Sequence, residues 1–244
     1  MINQDEIKRL SIRIQTDELT VAREYLQHSF LSELYKQVGS DRLLFKGGTA
    51  LRIIYNSPRF SEDLDFTAMK NISYQEIKNL LIDIYSTLNS WGFILDIEEA
   101  KQTTGGYLAK TIFSFYNYKI NLKIEISFRQ SNKKIKKEIS QIKTDFLPTY
   151  DIIHLSQEEI IEGKLTALLS RSKPRDWYDL YFLLKNNYLN NKQKKLLPII
   201  LEKFKNYRGD IRKELKEFLP VNHQMILKDF KNLLKKEIKN YEKE

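Results

Sequence analysis

Phe45-Lys46-Gly47-Gly48-Thr49-Ala50-Leu51, followed by Ser61-Glu62-Asp63-Leu64-Asp65-Phe66, is the stretch that decides how this chain is read. Arg42 to Lys46 predicts a short buried strand, which Gly47-Gly48 breaks, and Thr49 to Tyr55 predicts a short helix. Asn56-Ser57-Pro58 predicts a loop, and Asp63 to Thr67 a second strand. Side chains alternate along a strand. Asp63 and Asp65 therefore project together, about 6.6 Å apart along the backbone, while Leu64 and Phe66 point into the core.

The two halves of this stretch suit one kind of ligand. Gly47 and Gly48 carry no Cβ, so the backbone can approach a ligand closely. The helix starting near Thr49 offers unpaired N–H groups and a partial positive charge to phosphate oxygens, and Thr49 adds a hydroxyl. Two carboxylates on one face can converge on divalent ions, and oxygen donors suit Mg2+ or Mn2+. Each half also has a plain explanation, a tight strand-to-helix turn and a solvated strand edge. Their combination points to a nucleoside triphosphate and its metal ions. A third carboxylate is then expected from a neighbouring strand, and Glu125 in Lys123-Ile124-Glu125-Ile126 is the candidate.

Working outward, residues 18–38 predict a helix with Val21, Tyr25, Leu26, Phe30, Leu31 and Leu34 near a 3.6-residue period. Ser73 with Glu76 forms a capping box opening a helix through Leu88. Strands are predicted over 93–98, 107–115 and 118–128. In the last, Ile120, Leu122, Ile124 and Ile126 share one face and Asn121, Lys123, Glu125 and Ser127 the other. Beyond Pro148 the pattern is almost wholly helical. Ser156 with Glu159 caps one helix, Pro174 opens a second running from Arg175 to Lys185, and lysine-rich helices follow, the last from about His223 to Tyr241. The expected division is an α/β core over 1–148, with N-terminal helices, and a helical domain over 149–244.

Composition narrows the chemistry. The 244 residues suffice for one large or two modest cores. The absence of cysteine removes disulfides, thiolate zinc sites and cysteine nucleophiles. Three scattered histidines argue against a histidine metal site, and each is expected to pack or face solvent. No apolar run is long enough to span a membrane, and no secretory signal opens the chain, which fits a cytoplasmic protein. A net charge of +9 suits an anionic partner such as nucleic acid, or simply lysine-rich solvated faces. The same two readings apply to Lys133-Lys134-Ile135-Lys136-Lys137, as an RNA-backbone contact or a solvated loop.

Gly48-Thr49, thirteen residues, then Asp63-Leu64-Asp65 resembles the signature of the polymerase-β-like nucleotidyltransferase superfamily, with threonine keeping the hydroxyl where serine is frequent. The fuller text from Phe45 to Leu51 and from Arg59 to Phe66 resembles the AbiEii/AbiGii toxin family within it. A second block, Glu162-Gly163-Lys164-Leu165-Thr166-Ala167-Leu168 with Arg171 and Arg175-Asp176-Trp177-Tyr178-Asp179-Leu180, resembles that family's later lysine and Arg-Asp-x-x-Asp motifs. The resemblance covers roughly residues 40–185.

The resemblance implies a mixed-sheet nucleotidyltransferase core followed by a helical region that completes the active site. It implies transfer of a nucleotidyl group from an NTP to an acceptor, RNA such as a tRNA 3′ end, by a growth-arresting toxin with a cognate antitoxin. Asp63, Asp65 and Glu125 would hold Mg2+ or Mn2+, and Gly47, Gly48, Thr49 and Ser61 would contact the nucleotide. Lys164 would neutralise developing charge, and Asp176 would orient it. From the residues alone, Lys164 borders the buried stripe of its helix and needs an anionic partner. A structural Lys164–Asp176 pair is the other reading, Asp179 reads as structural, and Arg171 suits either role. Two other functional classes remain: transfer to a protein acceptor, and a basic nucleic-acid-binding module on an inactive core.

Overall fold

The computed structural model describes residues 1–128 and 135–241. The chain divides into two compact units, one made of Met1–Asn56 and Phe60–Leu155, the other of Ser57–Arg59 and Ser156–Glu244.

The first unit opens with helices α1 (Gln4–Ile14) and α2 (Glu18–Leu34), then strand β1 (Leu43–Lys46), helix α3 (Gly47–Tyr55), strand β2 (Leu64–Ala68) and helix α4 (Tyr74–Ser90). Five strands follow: β3 (Ile94–Thr103), β4 (Gly106–Phe115), β5 (Tyr118–Phe128), β6 (Lys137–Ile142) and β7 (Tyr150–Leu155). They form one seven-stranded sheet in the order β3-β4-β5-β2-β1-β7-β6. The β2–β5 and β1–β7 pairs are parallel and the others antiparallel, so the sheet is mixed, as expected.

Periodicity explains which face is covered. Ile120, Leu122, Ile124 and Ile126 of β5 are all buried, and α2 packs on β5 and β7 while touching α4. Val21, Tyr25, Leu26, Phe30 and Leu31 of α2 are fully buried, at roughly 1.5–3 kcal/mol for each large side chain. Tyr25 meets Phe93 and Phe115 at 5.6 Å, and Phe93 stacks on Phe115 at 4.4 Å. The opposite face of β5 carries Asn121, Lys123 and Glu125 outward. The helix α4 begins as its capping box requires, with Ser73 and Glu76 exchanging hydrogen bonds.

The almost wholly helical reading beyond Pro148 needs correction. Tyr150–Leu155 is a strand beside β1, and the two units divide at Leu155/Ser156 rather than at 148. β6 was also unforeseen. It is an edge strand with Lys137, Glu138, Ile139 and Gln141 exposed, so no buried alternation marks it. Of the lysine-rich segment, Lys133 and Lys134 lie outside the described residues, while Lys136 and Lys137 are exposed and Lys137 pairs with Asp41.

The second unit is helical: α5 (Gln157–Ser170), α6 (Pro174–Lys185), α7 (Asn191–Lys194), α8 (Leu197–Lys205), α9 (Ile211–Leu215) and α10 (Phe230–Tyr241). Ser156 accepts from the Glu159 N–H to start α5, and Pro174 occupies the first turn of α6. Trp177 is its largest buried side chain and meets Phe204 at 4.7 Å, while Tyr178 stacks on Phe230. The expected helix from His223 is split. Val221–Lys228 winds as 3-10 turns before α10. No helix among the described residues is long and apolar enough to cross a membrane.

Candidate active site

The β1–α3 turn is shaped by the carboxylate beside it. Lys46 of β1 lies opposite Asp65 of β2, so the next residue, Gly47, reaches over Asp65. Gly47 has φ +90°, a left-handed conformation that favours glycine, and a Cβ there would stand 2.1 Å from Asp65 Oδ2. The turn therefore needs glycine for both backbone and space. Lys46 supplies no side-chain cap to α3.

Thr49, expected to contact phosphate, has a partner for its hydroxyl within the chain. It is fully buried, and its hydroxyl donates to the Asp63 carbonyl oxygen. The side chain thus ties the helix to the segment that carries the acidic pair. Gln27, on α2, fastens the same segment: its buried amide donates to the carbonyls of Ser61 and Glu62 at 2.9 and 3.1 Å. Ser61 itself is half-buried in this loop.

The carboxylates form a row across the sheet. Asp65 pairs in register with Glu125 of β5 on one side and with Lys46 of β1 on the other, and paired residues share a face. Asp63 precedes β2 by one residue. Between Asp63 and Glu125 stands Lys123, its Nζ 3.1 Å from Asp63 Oδ2 and 3.1 Å from Glu125 Oε1. Partial burial works against the Lys123 ammonium, but Glu125 and Asp63 outweigh it and hold its pKa above the ordinary lysine value. Lys46 Nζ donates to Ser127 Oγ at 2.6 Å, and Ser127 Oγ donates to the Phe66 carbonyl.

These oxygen donors match a hard divalent ion in kind, and Asp63, Asp65 and Glu125 are the residues that would hold one. In arrangement they are not a ready-made cage. Among the described residues no group of three or more acidic or histidine side chains gathers as a metal site, and here an ammonium stands between two of the three. Sequence reasoning did not assign Lys123, Lys46 or Gln27. Lys123 could have been found, because it shares the polar face of β5 with Glu125.

The remaining predicted residues, Lys164 and Asp176, belong to the second unit. Lys164 Nζ lies 2.8 Å from Asp179 Oδ2, and Arg59 forks onto the same carboxylate, with Nε 2.8 Å from Oδ1 and Nη2 3.1 Å from Oδ2. The side chains of Arg59 and Asp179 are 2% and 1% exposed. Burial alone would push the Asp179 pKa up, but Arg59 and Lys164 overcome it and hold the carboxyl below its usual range. Asp176 accepts from Arg171 Nε and Nη2 at 3.0 and 2.9 Å and from the Lys173 N–H at 2.9 Å, which closes the first turn of α6. The alternative Lys164–Asp176 pair is thus not formed. Lys164 takes Asp179, one turn further along α6, and Arg171 takes Asp176.

The two buried histidines of the first unit serve packing. His28 Nδ1 meets the Tyr150 hydroxyl at 2.7 Å, and burial pushes its pKa down to about 4. His154 Nδ1 donates to the Leu155 carbonyl.

Residues 29–242 match the family model described as "Nucleotidyl transferase AbiEii toxin, Type IV TA system". The chain belongs to this family. Its fold agrees. A putative nucleotidyltransferase from Helicobacter pylori superposes with a TM-score of 0.68 at 24% identity, covering 93% of this chain and 96% of that one. The Helicobacter pylori protein JHP933 gives the same score and identity, over 93% and 94% of the two chains. MenT4, a nucleotidyltransferase toxin of Mycobacterium tuberculosis H37Rv, gives 0.63 at 15% identity over 98% and 89%. None of the curated proteins matches. As an AbiEii member the protein is a nucleotidyltransferase toxin of a type IV toxin–antitoxin system.

Proposed function

We propose that this AbiEii protein moves a nucleotidyl group from an NTP to the 3′ hydroxyl of an RNA, a tRNA end being the fitting acceptor, and that a cognate antitoxin restrains it. The observation that carries the reading is the row Glu125–Asp65–Lys46, lying beside a glycine turn that opens the N-terminus of α3.

In this reading the N-terminus of α3 faces the triphosphate oxygens, and Gly47 lets the chain come within reach of them. Asp63 and Asp65, with Glu125, would hold Mg2+ or Mn2+, which when bound would supply Lewis-acid stabilisation of the phosphoryl charge. The acceptor oxygen forms a bond to the α-phosphorus as the α–β bridging P–O bond breaks and pyrophosphate leaves. Glu125 receives the hydroxyl proton. Lys164 and Asp176 are proposed as contributors from the helical unit, Lys164 through a charge fixed by Asp179 and Asp176 through its hold on Arg171. The net charge of +9 favours an RNA acceptor over a neutral small molecule.

The test is incubation with each α-labelled NTP, magnesium and total tRNA, followed by gel separation and mass spectrometry of the RNA. Label in tRNA that disappears for Asp65→Ala, with the circular dichroism spectrum unchanged, is the expected result. Label moving with a protein band would transfer the reading to a protein acceptor. No label with any NTP, while RNA is still bound, would leave a binding module and overturn the proposal.

A further inference from the structure

Two carboxylates expected to hold a divalent ion are bridged here by an ammonium, Lys123 to Asp63 and Glu125 at 3.1 Å each. The arrangement is specific to this lysine. Its cross-strand neighbour on β4, Lys110, is turned to Glu99 at 2.6 Å instead. Lys123 is two residues from Glu125 on the same face of β5, and its side chain is 34% exposed, so it has solvent to swing into. Acidic groups side by side repel, and a cation between them offsets that repulsion. A protonated lysine has three donors and no lone pair, so it cannot share in a metal's coordination. An ammonium lodged against Asp63 Oδ2 and Glu125 Oε1 repels a dication drawn to the same two carboxylates.

We propose that Lys123 is a displaceable counter-cation: it holds Asp63 and Glu125 apart from the divalent ion, is expelled when the ion binds, and swings out to meet the phosphate oxygens of the incoming triphosphate. The inference rests on the reading of Asp63, Asp65 and Glu125 as metal-holding. It makes Lys123 a positioning residue that sets metal affinity and couples metal entry to the substrate.

The experiment titrates the nucleotide-free full chain with MnCl2 by calorimetry, comparing wild type, Lys123→Met and Lys123→Arg. Lys123→Met should bind Mn2+ about tenfold more tightly, within the range of ordinary site-to-site coupling, and Lys123→Arg should resemble wild type. In parallel, acylation of wild-type Lys123, followed by peptide mass spectrometry, should rise severalfold on adding Mn2+. That second arm needs no substitution and so survives a misfolded variant. Equal Mn2+ affinities, or acylation of Lys123 unmoved by Mn2+, would overturn displacement while leaving the carboxylates as the metal site. Wild type binding Mn2+ no better than Asp65→Ala would instead bring down the metal reading, and this inference with it.

Discussion

Gly47→Ala separates the demands of the backbone from those of the carboxylate. The added Cβ would lie 2.1 Å from Asp65 Oδ2 and 2.9 Å from its Cβ and Cγ, where contacts below 3.0 Å are essentially never made. Asp65 must therefore retreat by about 0.9 Å, the difference between those two distances. A displacement of that size in a reacting constellation costs on the order of a hundredfold in rate, equivalent to about 2.7 kcal/mol. Independently, alanine at φ +90° adds backbone strain of about 1–3 kcal/mol to the folded state. The two costs are separable in an Asp65→Ala background, where the 2.1 Å clash with Oδ2 is gone and strain remains with only the marginal 2.9 Å approach to the Cβ of residue 65. Urea denaturation of the four proteins of this cycle should give a coupling of at least about 0.5 kcal/mol, and labelled-nucleotide transfer should give the hundredfold loss. The reasoning fails if Gly47→Ala transfers within threefold of wild type. It also fails if its stability cost is the same with and without the Asp65 carboxylate.

Asp179→Asn leaves the buried Arg59 and the partly buried Lys164 facing a neutral amide and should cost about 3–5 kcal/mol in urea denaturation. Because the folded-state pKa of Asp179 is lowered, its stabilisation is complete above the unfolded value of about 3.9 and lost as pH falls further; the asparagine variant should lack that acid limb. His28 works in a higher window. Its folded pKa of about 4 lies below the unfolded 6.5, so stability is full above pH 6.5 and falls by roughly 3 kcal/mol as pH drops to about 4. Denaturation of His28→Gln across that range should fall less steeply than wild type, the remainder including His154, whose pKa burial also lowers, and an unchanged slope would remove His28 as a source. Thr49→Val should lose about 1–3 kcal/mol of stability together with kcat, while Thr49→Ser keeps both. A higher KM for NTP with stability intact would return Thr49 to the phosphate.

The strand–turn–helix–strand frame was legible in the sequence because it is local. Apolar Leu43 to Phe45, the glycine break and the alternation around Asp65 are each set within a few residues. Glu125 was found through the period-two pattern of β5, and the structure places it in register with Asp65. Tyr150–Leu155 was missed because a strand of six residues, paired to β1 through Phe45 and His154, has no local feature that separates it from the lead-in to α5. The partner of Lys164 was open for the same reason. Asp176 and Asp179 are one turn apart on α6, and what selects Asp179 is its burial beside Arg59, 120 residues earlier. Lys123 was visible and unassigned, since a strand lysine among acids reads as surface until its neighbours are placed.

The clasp of Arg59 on Asp179 has a consequence for how the toxin is born. The 120 residues between them take roughly 6–24 s to synthesise at 5–20 residues per second. Arg59 leaves the ribosome early, within a segment whose flanks belong to the first unit, and waits for a carboxylate not yet made. The helical unit cannot reach its final form from its own contiguous stretch, because one of its buried charges comes from another part of the chain. A nascent chain interrupted before residue 179 therefore carries Asp63, Asp65 and Glu125 but leaves Arg59 without Asp179, so the clasp forms only after the whole sheet sequence has been made.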